Sequence, residues 1–217
     1  AFFFVGRYVQ YETEESRMAR SEYKEGALKV VSYNVGRFAL HDADGVDNSK
    51  ECADSIFDFI RRQDADIICL QEFKINDISQ IHSYLSRKMK GYNVEYYLFP
   101  ASGGAFGNVT LSRLPVKGKG KIKFEESTNL AIYTDYEHKG QKFRVYNCHF
   151  ESYNISPTGI VKALAQRDST VLEETGTKMK RSITRRPKQV DKVFSDIENC
   201  PVDAFVCGDF NDNPMSY

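Results

Sequence analysis

Four times in this 217-residue chain a run of apolar, strand-type residues ends abruptly on a side chain able to hold a metal ion or a phosphate. Val30-Val31-Ser32-Tyr33 ends in Asn34, Ile67-Ile68-Cys69-Leu70 in Gln71-Glu72, Val145-Tyr146-Asn147-Cys148 in His149, and Phe205-Val206-Cys207 in Gly208-Asp209-Phe210-Asn211-Asp212. Strand ends are rigid mounts, and groups held there keep their geometry better than groups on loops. The residue types also agree with one another. Glu72 and Asn34 offer hard oxygens of the sort Mg²⁺ takes, with the remaining positions left to water and substrate. Asp209 held against such an ion could orient or deprotonate a water, while Asn211 and His149 could donate to the nonbridging oxygens where charge builds during phosphoryl transfer. An unperturbed Asp has a pKa of about 3.9, so the role of base needs a raised pKa or the help of a metal. Singly, each residue has an ordinary reading: Asn34 as a turn former, Glu72 as a surface carboxylate, His149 as a satisfied histidine, 208–211 as an Asx turn. The combination favours chemistry, because four separate turn explanations would have to hold together.

Other motifs exclude more than they suggest. Ser102-Gly103-Gly104-Ala105-Phe106-Gly107 is glycine-rich, but no Gly-Lys-Ser/Thr follows, so it is not a Walker loop. No GxSxG, HExxH or GxGxxG occurs, which removes the main support for serine hydrolase, zincin and dinucleotide-binding readings. Lys plus Arg and Asp plus Glu both number 30, and this zero net charge removes the broad basic field of a dedicated nucleic-acid coat while leaving room for a local patch. Two such patches stand out. Lys178, Lys180, Arg181, Arg185, Arg186, Lys188 and Lys192 face the single acid Asp191 and could contact a polyanion or anionic membrane, or form a solvated helix face. Lys117, Lys119, Lys121 and Lys123 carry the same two readings.

The elements that must position the site can be read from periodicity. Leu28 to Tyr33 reads as a strand. Ala53, Ile56, Phe57 and Ile60 fall at helical spacing between Ser49 and Arg62, and 67–70 is a short, fully apolar strand. Asn76 can cap a second helix with Ile78, Ile81, Leu85 and Met89 on one face, closed by Gly91. Strands follow at 92–99, 108–112 and 121–124, and 129–147 reads as a hairpin turning at His138-Lys139-Gly140. After Pro157 come two helical stretches, the second with Val190, Val193, Phe194 and Ile197 at i, i+3, i+4 and i+7, and then the buried-type strand 204–207. This order indicates an α/β sandwich with mixed sheets.

At 217 residues a single domain is the default, and 41% hydrophobic content fits a folded chain. Five cysteines, an odd number without a CxxC pair, argue against a disulfide scaffold or structural zinc and read as small buried packing residues. The apolar run Ala1-Phe2-Phe3-Phe4-Val5 is too short to span a bilayer. It reads either as a strand or staple of the fold or as the cut end of a longer upstream hydrophobic segment. Residues 10–26 read as a polar linker, so 1–26 stands apart from a domain over 27–217.

Taken in order, Ser32-Tyr33-Asn34-Val35, Leu70-Gln71-Glu72, Gly107-Asn108-Val109-Thr110-Leu111-Ser112-Arg113-Leu114-Pro115, Asn147-Cys148-His149-Phe150 and Gly208-Asp209-Phe210-Asn211-Asp212 resemble the motif set of the endonuclease/exonuclease/phosphatase superfamily, the deoxyribonuclease I-like fold. The resemblance implies a four-layer α/β sandwich, two central sheets flanked by helices, that hydrolyses phosphodiesters or phosphomonoesters with a divalent cation, Mg²⁺ or alternatively Mn²⁺. It implies Asn34 and Glu72 at the metal with Glu72 the principal ligand, His149 on the phosphoryl group, Asp209 on the nucleophilic water, Asn211 positioning Asp209 and the phosphate, and a structural Arg113. The family closes with a further strand pair and an Asp-His element, whereas this chain stops at Tyr217, so the resemblance implies a domain lacking its C-terminal part. The alternative is a non-catalytic binding or scaffold domain that retains the fold. Partners implied are a phosphate-ester substrate, with DNA, RNA, phospholipid and small esters all open, and a membrane reached through an N-terminal segment, which would make the protein membrane-anchored. Oligomeric state is not legible.

Overall fold

The computed structural model describes residues 26–39, 49–125, 127–153, 161, 164–165 and 169–212. Strand β1 (Val30–Asn34) and a 3-10 turn at Gly36–Phe38 precede helix α1 (Ser49–Arg62), strand β2 (Ile67–Ile75), a second 3-10 turn at Ile78–Gln80 and helix α2 (Ile81–Lys88). Strands β3 (Asn93–Ala101), β4 (Gly104–Ser112), β5 (Gly118–Lys123), β6 (Leu130–His138) and β7 (Gln141–His149) follow, then helix α3 (Ser169–Glu198) and β8 (Asp203–Asp209). The apolar start 1–5, the linker 10–25 and most of the first helical stretch after Pro157 lie outside the described residues. Among those described, no helix is long and apolar enough to cross a membrane.

The strands form two mixed sheets, ordered β1-β2-β4-β3 and β5-β6-β7-β8. In each, one edge pair is parallel, β1 with β2 and β7 with β8, and the other pairs are antiparallel. The parallel edges lie against each other, β1 beside β8. Their C-terminal ends therefore meet at one rim, which is where Asn34, Glu72, His149 and Asp209 sit.

Each sheet is covered on its outer face. Ala53, Phe57 and Ile60 of α1 and Ile81 and Leu85 of α2 are buried with Ile68, Leu70, Phe73, Val109 and Leu111 of the first sheet. Complete burial of side chains such as Phe57, Ile60 and Leu85 contributes about 1.5–3 kcal/mol each relative to exposure. Val193, with Val190 and Ile197 beside it, brings α3 onto Ile122, Ala131, Tyr146 and Cys148 of the second sheet. The layers are thus helix, sheet, sheet, helix.

The layer between the sheets changes character along its length. Away from the rim it is apolar: Ile67, Cys69, Tyr136, Phe143, Val145 and Cys207. Nearer the rim it is an amide network. The Asn147 side chain donates to Val109 O at 3.0 Å and accepts from Gln71 Nε2 at 2.8 Å, and Asn108 Nδ2 donates to Asn147 O at 2.9 Å and Leu130 O at 3.3 Å. These bonds join the two sheets directly beneath Glu72 and His149.

Several sequence expectations need correction. Asp77, not Asn76, is the cap: its Oδ1 accepts from Ser79 N at 2.9 Å, and the 3-10 turn it opens puts Ile78 out of phase and 44% exposed. The glycine-rich 102–107 segment forms the β3–β4 hairpin, with Gly103 at φ +72° in the turn and Ala101 paired to Gly104. The expected hairpin at His138-Lys139-Gly140 forms, with positive φ at Lys139 and Gly140, as a two-residue primed turn requires. Phe194 is 56% exposed, because the buried stripe of α3 runs through Ser182, Arg186, Gln189 and Val193 and leaves Phe194 beyond its edge. All five cysteines are free, but only Cys69, Cys148 and Cys207 are buried; Cys52 and Cys200 are partly exposed.

Candidate active site at the sandwich rim

Two of the four rim side chains, Glu72 and Asp209, are delivered by a local irregularity in the backbone. In β2 the pairing to β4 slips between Leu70 and Phe73, and Glu72 adopts φ +52°. Ile67, Cys69 and Gln71 face the opposite sheet and Ile68, Leu70 and Phe73 face the helices, so the bulge absorbs Glu72 and turns its carboxylate away from the helix-covered face that strict alternation would give it. In β8 the backbone closes so tightly on β7 that a Cβ on Gly208, at φ +149°, would lie 1.9 Å from the Cys148 carbonyl oxygen. Glycine at this position lets β8 run parallel to β7, with Asp209 level with His149.

The side chains then converge. Asn34 Nδ2 donates to Glu72 Oε1 at 3.0 Å and to Asp209 Oδ2 at 2.7 Å, and its Oδ1 accepts from Gly36 N at 2.8 Å. Asn34 therefore spans the two carboxylates with its amide nitrogen. His149 Nε2 lies 3.7 Å from Glu72 Oε1. One ligand atom each from Glu72, His149 and Asp209 falls within 4.8 Å of the others, a group able to hold a metal ion. Burial pushes the His149 imidazole below its ordinary range, against the pull of the nearby Asp209 and Glu72 carboxylates. This shift favours the uncharged imidazole at neutral pH.

Asn211 joins the site by a different route from the one its side chain suggests. Its backbone N–H donates to Asp209 Oδ1 at 3.0 Å, at φ +51°, while its Nδ2 donates to Phe150 O at 2.8 Å. Both Asp209 oxygens are thus held by neutral N–H donors, one from each of Asn34 and Asn211. Arg113, read as structural, pairs with Asp64 at 2.5 Å and lies over the Tyr92 ring, well away from these groups in the chain's packing.

Two contributors were not legible. Arg37, at φ +59° in the turn after β1, puts its Nε 3.6 Å from Glu72 Oε2 and its guanidinium 4.7 Å over the Phe106 ring. A cation three residues past the β1 terminus was the available signal. Glu151, two residues after His149, is buried and takes Arg181 at 3.3 Å, Arg185 at 3.8 Å and the Ser127 hydroxyl at 2.9 Å. The 178–192 stretch, read from sequence as a polyanion contact or solvated face, thus turns three of its arginines, Arg181, Arg185 and Arg186, onto Glu151 and Asp212.

The model of the endonuclease/exonuclease/phosphatase family matches residues 31–217. No curated protein sequence matches the chain significantly. Among solved structures, a humanized D. rerio TDP2 superposes with a TM-score of 0.57 at 20% identity, covering 86% of this chain and 63% of that one. The human Nocturnin catalytic domain with bound sulfate gives 0.56 at 18% identity, with 87% and 65% covered, and beta toxin from Staphylococcus aureus gives 0.57 at 20% identity, with 88% and 68% covered. The chain therefore spans less than two thirds of the first two. These similarities show the fold, and together with the family match over all but the first thirty residues they lead to one assignment: the chain belongs to the endonuclease/exonuclease/phosphatase family.

Proposed function

We propose that this chain hydrolyses a phosphodiester or phosphomonoester with a divalent cation, Mg²⁺ or alternatively Mn²⁺, by in-line attack of water on phosphorus. Family membership supports phosphoester hydrolysis in general. The observation that carries the reading is the convergence of Glu72, His149 and Asp209 within 4.8 Å, tied together by Asn34. The donor set fits the ion, because Mg²⁺ takes one or two protein carboxylates and completes its shell with water and substrate phosphate. Glu72, 28% exposed at the rim, would be the principal ligand, and Asn34, whose Nδ2 faces the carboxylates while its Oδ1 accepts from Gly36 N, would hold that ligand in place. When bound, the ion neutralises charge developing on the phosphate oxygens.

The remaining roles follow from the contacts. Asp209 is aimed by two N–H donors, so it can orient a water and take its proton without rotating away. His149, kept neutral by burial, can donate an N–H to a nonbridging oxygen at neutral pH. Arg37, more than half exposed beside Glu72, can meet an entering phosphate.

Glu72→Gln in the full chain tests the reading. Mg²⁺-dependent hydrolysis of bis(p-nitrophenyl) phosphate should be lost while the circular dichroism spectrum is kept; unchanged turnover overturns the assignment. Calorimetric binding of Mg²⁺ with no turnover of any ester by the unaltered chain would favour a non-catalytic binding domain instead.

A further inference from the structure

We infer that the mouth of the sandwich carries a second binding surface, running from Arg37 beside Glu72 to Lys121 and Lys123 on the far edge strand, and that it seats a single strand of nucleic acid. The inference rests on the phosphoesterase reading for the reaction and adds the substrate class.

The surface is built by strand register. Phe106 of β4 pairs with Lys74 of β2 on one side and with Phe99 of β3 on the other. Directly opposed residues project to the same face of a sheet. Here it is the inner face, because Asn108, two residues on from Phe106, bonds to the Asn147 and Leu130 carbonyls of the opposite sheet. At the rim the amide network gives way to rings. The Arg37 guanidinium lies 4.7 Å over Phe106, and Phe99 and Tyr97 meet edge to face at 5.2 Å. From the facing sheet, Lys121 Nζ lies 3.9 Å and Lys123 Nζ 5.2 Å from the Tyr97 ring centre. The row Lys74, Phe106, Phe99, Tyr97 thus crosses three strands of one sheet and is met by two lysines of the other.

Charge distinguishes this row from simple edge closure. Lys119, on the same face of β5, is neutralised by Glu95 at 2.7 Å. Among the described residues no carboxylate pairs with Lys74, Lys121 or Lys123. In a chain of zero net charge, three uncompensated ammonium groups interleaved with three half-buried rings form a local feature. From β2, which carries Glu72, to β3, which carries Tyr97, is two strand spacings, about 10 Å. A strand whose scissile phosphate sits at Glu72 would bring neighbouring phosphates to Lys74, Lys121 and Lys123 and its bases to the rings. Basic groups tracking a backbone beside aromatic faces are how single strands are bound. A duplex keeps its bases stacked inside, and a lipid headgroup offers no planar rings.

The test uses the full chain with EDTA present, so that binding is read without hydrolysis. The probe is fluorescein-labelled oligothymidylate of about fifteen nucleotides, followed by anisotropy against salt. Lys121→Ala/Lys123→Ala should weaken binding and reduce the slope of log K against log salt by about 1.4, since each phosphate contact on a single strand contributes about 0.7. Tyr97→Leu should weaken binding roughly tenfold through lost stacking. Unchanged affinity and slope in these variants, with melting temperatures as in the parent, overturns the inference. So does equal affinity for a hairpin duplex or for phosphatidylserine vesicles. Turnover of bis(p-nitrophenyl) phosphate with Mg²⁺ is measured in parallel and should be the same in parent and variants. Its absence in the parent defeats the phosphoesterase reading alone, whereas its presence with indifferent strand binding defeats this inference alone.

Discussion

Asn34 and Asp209 stand 175 positions apart in the chain and are joined by a 2.7 Å hydrogen bond, and the same Asn34 nitrogen reaches Glu72 at 3.0 Å. One amide thus closes the seam between the parallel edges of the two sheets and holds two carboxylates near each other. Asn34→Ala removes the amide that donates to both carboxylates and leaves like charges facing. Apparent Mg²⁺ affinity and kcat/KM should each fall about 10- to 100-fold, as expected for loss of a group that orients ligands. Initial rates of ester hydrolysis across a Mg²⁺ titration check this, and a variant with parental Mg²⁺ dependence would refute the bridging role.

Gly208 is the backbone counterpart of that seam. With a Cβ placed 1.9 Å from the Cys148 carbonyl oxygen, Gly208→Ala forces β8 away from β7 and displaces Asp209 from His149. A destabilisation of about 3 kcal/mol is expected from combined strain and lost pairing. Urea unfolding of the variant measures it, and a midpoint unchanged from the parent contradicts the close approach.

What could be read beforehand, and what could not, divides along a physical line. Asn34, Glu72, His149 and Asp209 were legible because each interrupts an apolar run, and the ends of such runs are the ends of strands. The amide network of Gln71, Asn108 and Asn147 was not, because a polar residue inside a strand reads as solvent-facing until its partners are known. Those partners lie 22 or more positions away: Gln71 to Asn147, Asn147 to Val109, Asn108 to the Leu130 and Asn147 carbonyls. The inner face of α3 was missed for the same reason. Arg186 and Gln189 are buried by hydrogen bonds to the chain after His149, and periodicity of apolar residues alone instead placed Phe194 on that face. The slip in β2 that aims Glu72 leaves no trace in composition.

Tyr136 offers a test of the inter-sheet layer by pH. Its side chain is buried among Cys69, Phe143, Val145 and Cys207, and among the described residues its hydroxyl makes no well-formed hydrogen bond, although the Thr134 and Ser112 hydroxyls lie beside it. Burial pushes the phenol up from 10.0 to about 12. An acid whose folded pKa is raised stabilises the fold fully below its unfolded value and ceases to do so as pH rises through the folded one. Stability should therefore decline between pH 10 and about 12. Tyr136→Phe should raise stability at neutral pH by about 1 kcal/mol, by removing an unmatched hydroxyl, and should flatten the alkaline decline. Chemical denaturation at stepped pH reads both, and an equally steep alkaline loss in the variant would assign it to other groups.

Arg186 reaches both loops that leave β7 and β8. Its Nε donates to Glu151 O at 3.1 Å, two residues beyond His149, and its Nη1 lies 3.1 Å from Asp212 Oδ2, three beyond Asp209. The guanidinium is buried and lies 4.4 Å over the Tyr153 ring. Arg186→Met fills similar volume but releases both loops and should cost about 3 kcal/mol, the scale of losing hydrogen bonds to a buried charged group. Arg186→Lys keeps the charge as a single point and cannot serve two directions at once, because only the planar guanidinium presents donors in a fixed fork. The lysine variant should recover part of the stability while kcat for ester hydrolysis stays about tenfold low and KM changes little, since His149 and Asp209 are mispositioned for the reaction rather than removed from binding. Parallel urea unfolding and steady-state kinetics separate the two effects. Parental kcat in the lysine variant would mean that Arg186 holds α3 to the sheet and does nothing to align His149 with Asp209.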